Sequence, residues 1–210
     1  MAILVIAGEV SGDFYGGNLI QALKKKEPNL PIVGIGGSDI SEHCDTFLYD
    51  IAEDHVVGTL EVWKKRKTFQ ALLKTLKNYL NSNTITQAVI IDFAHQNFKL
   101  AQLLRTYNVP ITTIITPNFW IWKNKKESKK LAHYSQDIIT IFPNEYEWYL
   151  QFHDHVHYFG HPLLTHIDKI PSKNEVTTGP LHIGVFPGSR KQELDYYLPK
   201  IIPALEQYQK

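Results

Sequence analysis

A chain of 210 residues with 43% hydrophobic content can bury one sizeable core, or one domain and the start of a second. Its net charge of +1 argues against a general nucleic-acid binder, and its single cysteine, Cys44, excludes an internal disulfide framework. No apolar run approaches the ~20 residues that span a bilayer, and no charged region precedes an uninterrupted apolar stretch at the start, so the expected compartment is the cytoplasm.

Residues 3–7, Ile-Leu-Val-Ile-Ala, are continuously apolar, the pattern of a strand buried on both faces. They run into Gly8, Glu9, Val10, Ser11, Gly12 and Asp13, a turn that opens an amphipathic helix through Leu19, Ile20 and Leu23, with Ser11 or Asp13 as its cap. At the carboxyl edge of a parallel sheet, the N–H groups of such a helix start make an anion-tolerant pocket. The loop matches neither the dinucleotide nor the P-loop glycine pattern, and simple chain reversal is its rival role. A second strand is expected over residues 31–35, completing a βαβ unit, and an edge strand over residues 46–48.

Residues 56–80 combine an apolar lead with a basic run and a helical stripe. Val56, Val57, Leu60, Val62 and Trp63 precede Lys64, Lys65, Arg66 and Lys67, and Phe69, Leu72, Leu73, Leu76 and Leu80 follow at helical spacing. A crossover helix on the sheet accounts for the stripe. It leaves the apolar lead unexplained, and apolar residues beside a tetrabasic run suit acyl chains and anionic headgroups. Residues 61–80 carry a net +5 and residues 123–130 a net +4, leaving −8 on the remainder, so basic patches sit on a mildly acidic body.

Residues 88–91 read as another buried strand ending on Asp92. A carboxylate there reaches the ligand crevice as a general base, or else caps the helix that starts near His95, Gln96 and Asn97. A strand over residues 111–115 leads into Trp120 and Trp122 and then five lysines, an aromatic and basic pairing that suits a sugar, phosphate or lipid surface as well as plain packing. Residues 138–142 and 156–159 are further strands, with a helix from Pro143 between them. His153, His155 and His157 alternate, but no Cys or carboxylate set completes a metal pattern. Gly160, His161 and Pro162 follow. Residues 167–180 have linker composition, and a strand over 181–186, a turn through Arg190 and a helix from Glu193 open a second α/β domain.

The motifs Ala7-Gly8-Glu9-x-Ser11-Gly12-Asp13, Gly34-x-Gly36-Gly37, Val57-Gly58-x-x-Glu61-Val62, Ile91-Asp92, Pro117-x-x-Trp120-x-Trp122, Phe142-Pro143, Gly160-His161-Pro162 and Pro187-Gly188-Ser189-Arg190-x-x-Glu193 follow one another in the order seen in lipid-A-disaccharide synthases, which the sequence resembles along almost its entire length. That resemblance implies an inverting glycosyltransferase of the two-domain GT-B type, needing no metal or other cofactor. Such enzymes join UDP-2,3-diacylglucosamine to 2,3-diacylglucosamine 1-phosphate through a β-1,6 bond and release UDP at the inner face of the cytoplasmic membrane, as peripheral proteins. It implies a Rossmann-like acceptor-side domain over residues 1–166, a linker over 167–180 and the start of the donor domain over 181–210.

By the same resemblance Asp92 is the general base, and Gly8, Glu9, Ser11, Gly12 and Asp13 shape the facing wall of the cleft. Arg190 meets the UDP diphosphate, and Glu61, Trp120, Trp122 and His161 complete the substrate site. Val56 to Lys67 make the membrane and acyl-chain contact. The family's usual Ile-Asp-x-Pro-Asp-Phe-Asn reads here Ile91-Asp92-Phe93-Ala94-His95-Gln96-Asn97, so His95 is expected to orient Asp92 or to share its role. The chain is expected to hold the acceptor half of a synthase, with poor UDP binding alone, working with a separate donor-domain chain or a homodimer mate. The alternative is a non-catalytic lipid-binding or scaffold remnant.

Overall fold

The computed structural model describes residues 1–51, 61–92, 97–167, 183–188 and 191–208. The chain forms two compact units, residues 1–170 and 171–210.

In the first unit, β1 (Ala2–Ala7) has its apolar run buried. It pairs in parallel with β2 (Ile32–Gly36) on one side and with β4 (Ile85–Ile91) on the other. With β3 (Thr46–Asp50), β5 (Ile111–Ile114), β6 (Asp137–Thr140) and β7 (Val156–Tyr158), these make one parallel sheet of order β3-β2-β1-β4-β5-β6-β7. The chain winds outward from β1 in one direction, then returns to start again at β4. Right-handed crossovers therefore put α1 (Val10–Lys26) and α2 (Ser38–His43) on one face. They put α3 (Glu61–Ser82), α4 (Asn97–Thr106), α5 (Lys125–Tyr134) and α6 (Pro143–Tyr149) on the other.

The period of two along β1 divides the core accordingly. Leu4 and Ile6 pack with Phe69, Leu72, Leu76 and Leu80 of α3 and with Leu100 and Leu104 of α4. Val5 and Ala7 pack with Ile20 of α1 and Ile40 of α2. The helical stripe of α3 is thus the crossover contact that its spacing predicts. A smaller cluster under β6 and β7 gathers Phe119, Leu131, Ile138, Tyr149 and Val156.

Three expectations are corrected. Ser11 and Asp13 do not cap α1, because both lie inside it; its N-cap is Glu9, whose side chain makes no capping bond. Strand β6 stops at Thr140 instead of running to residue 142, because the N–H groups of Ile141 and Phe142 turn to the carboxylate of Glu145 at 2.9 and 3.3 Å. In the second unit, residues 183–188 form no strand, since pairing defines a strand and no described segment there supplies a neighbour; α8 (Lys191–Tyr208) follows. A four-residue helix, α7 (Leu164–Ile167), closes the described part of the first unit.

Candidate active site

The outward and return windings part between β1 and β4, and the crevice beyond their carboxyl ends is where doubly wound sheets take ligands. Two chain segments meet there. Helix α1 begins directly after β1, and Gly12 presses it onto the end of β4: a Cβ at Gly12 would stand 3.1 Å from the Ile91 carbonyl oxygen and 3.3 Å from Asp92 Cβ. Across that contact Ser11 Oγ donates to Asp92 Oδ2 at 3.0 Å. Asp92 has a backbone φ of 41°, in the left-handed region, while its N–H still donates to Ile114 O at 3.1 Å. Among the described residues, its half-buried carboxylate has Oδ2 tied by Ser11 and Oδ1 without a hydrogen bond.

Tyr15 lies one helical turn beyond Ser11. Partial burial, and then the charge of Asp92, hold its hydroxyl above the ordinary tyrosine value. From Tyr15 an aromatic run crosses the carboxyl edge of the sheet. The Tyr15 and His161 rings lie 6.3 Å apart, His161 and Phe142 5.5 Å, and Phe142 and Trp120 5.8 Å, between centroids. His161 Nδ1 accepts from Leu163 N at 3.2 Å, so in the neutral ring Nε2 carries the proton and can donate.

Asp13 serves the scaffold. It is buried, and its oxygens accept from Gly37 N at 2.7 Å, Asp39 N at 2.9 Å and Ile40 N at 3.1 Å, which caps α2. Gly8 joins the end of β1 to β4 through its N–H to Ile91 O at 3.4 Å, and Glu9 is exposed beside it. Trp120 is half-buried against the Phe119 cluster, whereas Trp122 is 63% exposed, so the two tryptophans read as a pair from their spacing part company.

Other expected site residues fall apart from this group or outside it. Val56, Val57, Leu60, His95 and Arg190 lie outside the described residues. Glu61, Val62, Trp63, Lys64, Lys65, Arg66 and Lys67 form the first two turns of α3. The three alternating histidines do not meet at one point: the His153 and His155 rings lie 5.9 Å apart between centroids, with His153 Nε2 3.1 Å from Ser135 O, whereas His157 Nε2 is 3.3 Å from Asp137 Oδ1. Among the described residues no cluster of three or more His, Cys, Asp or Glu is placed to hold a metal.

Sequence reasoning missed Glu145. It is 1% exposed, and its Oε1 accepts from Thr116 N at 3.0 Å and Thr116 Oγ1 at 2.6 Å, while Oε2 takes Ile141 N and Phe142 N. One carboxylate thus ties the loop after β5 to the loop after β6. The loop after β5 leaves through Ile115 at φ 58°, a strained conformation for a β-branched residue. Glu145 sits at the third position of a helix opened by Pro143, a place where an acid reaching back to the preceding N–H groups was the available signal.

A doubly wound parallel sheet with helices on both faces, carrying a carboxylate at its switch point, places this unit in the Rossmann-like class. The family model described as lipid-A-disaccharide synthetase matches residues 3–210, and the chain belongs to that family. It is 30% identical to the lipid-A-disaccharide synthase of Coxiella burnetii over 97% of this chain and 55% of that protein. To the synthase of Synechocystis it is 34% identical over its whole length and 57% of the relative, and to that of Francisella tularensis subsp. novicida 31% over 98% and 56%. The chain spans about half the length of the curated relatives it matches.

Proposed function

We propose that this chain supplies the acceptor side of the lipid A disaccharide transfer, in which 2,3-diacylglucosamine 1-phosphate attacks UDP-2,3-diacylglucosamine. The observation that carries the reading is Asp92 at the β1/β4 switch point, held through one oxygen by Ser11. Its other oxygen takes the proton of the acceptor 6-hydroxyl as that oxygen bonds to the donor's anomeric carbon. The bond from that carbon to the diphosphate breaks with inversion, and UDP leaves with the electron pair. Arg190 offsets the charge that grows on the departing diphosphate. His161, through Nε2–H, and Trp120 line the acceptor's path, and His95, three positions on in the sequence, is assigned the part of orienter or of sharing the base role. The first turns of α3 and the residues before it rest on the anionic inner face of the membrane.

The test is a disaccharide assay of the chain with and without a complementary donor half, such as residues matching the remainder of a relative. Activity appears only with both. Asp92→Asn lowers turnover by roughly a hundredfold or more with little change in acceptor KM, the scale of general-base loss, and His95→Ala costs less. Near-full activity in Asp92→Asn with none in His95→Ala reverses the assignment. No activity with any donor half supports a non-catalytic lipid-binding remnant instead.

A further inference from the structure

The tight turn after β5 separates its side chains sharply. Phe119 is 1% exposed, Trp120 is half-buried against the same cluster, and the next two residues, Ile121 and Trp122, stand 54% and 63% exposed. The turn is held by its own backbone: Trp122 N donates to Asn118 O at 3.2 Å and Asn124 N to Phe119 O at 2.8 Å. Ile121 and Trp122 are therefore presented outward by a fixed scaffold. Phe142, 44% exposed and in ring contact with Trp120, continues the apolar surface.

Directly after this ledge comes α5. Ser128, Leu131 and Ala132 bury its inner face, with Ser128 Oγ accepting from Trp148 Nε1 at 2.8 Å. Lys126, Lys129 and Lys130 lie on the outward side and Lys125 on its flank; all four are exposed, Lys130 Nζ standing 4.1 Å from the centroid of the Phe98 ring, with Lys123 just before them. Among the described residues none of these five lysines is paired with a carboxylate. Helix stability does not call for Lys125 or Lys126, since cations in a first turn oppose the macrodipole. Packing engages Lys130, over Phe98, while the helix is anchored through Ser128, Leu131 and Ala132.

We infer that residues 121–130 form a membrane contact of their own, with Ile121 and Trp122 entering the headgroup region of an anionic bilayer and the lysines of α5 lying against its phosphates. Exposed aromatic and aliphatic tips beside an uncompensated cationic face are the chemistry of an interfacial segment. A partner protein's acidic surface would use the lysines but would leave the apolar tips in water. Topology supports the assignment: α3 and α5 lie on one face of the sheet and both start at its carboxyl edge. A bilayer that meets the start of α3 then meets this segment as well. The inference deepens the membrane reading proposed for the start of α3, and its variants are separate from those that test α3.

The test is sedimentation of the full chain, in low salt, with vesicles of phosphatidylglycerol and phosphatidylethanolamine and with vesicles of phosphatidylcholine alone. The chain should partition to the first and poorly to the second. Lys125→Glu with Lys129→Glu should weaken partition about tenfold or more, as should Ile121→Ser with Trp122→Ser, while circular dichroism stays unchanged because all four side chains are exposed. In a Trp63→Phe background, tryptophan emission should shift blue on the anionic vesicles, and adding Trp122→Phe should remove most of that shift. Lys25→Glu with Lys26→Glu, at the far end of α1, makes the same charge change and should cost little. Equal losses in the two lysine pairs, no loss in the α5 pair while Trp63→Ser with Lys65→Glu abolishes binding, or no partition of the wild type would each overturn the inference. So would binding of an RNA oligomer through the α5 lysines with no blue shift on vesicles.

Discussion

Glu145 shows how much one buried side chain decides at the edge of this sheet. Its two oxygens serve four donors from Thr116, Ile141 and Phe142, so Glu145→Ala leaves several buried polar groups without partners. The expected cost is about 3 kcal/mol or more, read as a lowered urea midpoint with unchanged slope. A loss under about 1 kcal/mol would mean that water replaces the carboxylate. Tyr149 supplies a pH signature. It is fully buried, and burial pushes its hydroxyl up to about 12 from 10.0, against the smaller lowering influence of the Thr116 and Ser128 hydroxyls. A group whose folded pKa is raised keeps its proton longer in the folded state. The stability linked to it is whole below about pH 10 and is lost as pH climbs toward about 12, by roughly 2–3 kcal/mol. Tyr149→Phe should flatten that alkaline loss and cost little near neutrality. An unchanged alkaline limb would assign the loss to other groups.

At the scale of elements, the contact of α1 with α2 and β2 turns on Ile40. It is fully buried, and Gly16, Gly34 and Gly36 leave the space it fills. A Cβ at Gly34 would come 2.5 Å from Ile40 Cγ2 and 2.8 Å from Cys44 Sγ. Gly34→Ala is therefore expected to destabilise by about 1–3 kcal/mol through overpacking, and Ile40→Ala by about 3 kcal/mol through the cavity. The double mutant should lose less than the sum, because the added methyl enters the space that the isoleucine vacates. Strict additivity in thermal or urea unfolding would show that the glycine and Ile40 do not compete for one volume. Asp13, from α1, caps the same α2, so the loop that bounds the crevice is positioned by the helix pair that this cradle holds together.

Over the whole molecule, charge is segregated. Residues 61–80 and 123–130 are basic while the remainder is acidic, and no described helix is long and apolar enough to cross a membrane. Attraction to an anionic surface should therefore fall with salt, as exposed charges are screened over about 10 Å at 0.1 M. Trp63→Ser with Lys65→Glu, at the start of α3, should weaken sedimentation with anionic vesicles markedly at low salt and make little difference at 0.5 M. Equal sedimentation of wild type and variant at low salt would remove α3 from the membrane contact.

The seven strands were legible almost one by one: β1, β2 and β4, buried on both faces, carry nearly unbroken Ile, Val, Ala and Gly, and the shorter outer strands carry β-branched or aromatic residues between turn signals. The family motifs marked Asp92 and the turn before Ser11 for the same local reason: each stands where a buried run meets Gly, Ser or Asp. Helix α5 was not legible, since its inner face is made of Ser128, Leu131 and Ala132 and its lysines mask any period. Nor were the bond from Ser11 to Asp92, 81 positions apart, the capture of Asp13 by α2, or the reach of Glu145 from α6 to Thr116. Such contacts depend on which strands become neighbours and on how closely two helices approach. Periodicity within one segment decides what that segment buries; only packing between segments decides which polar groups meet.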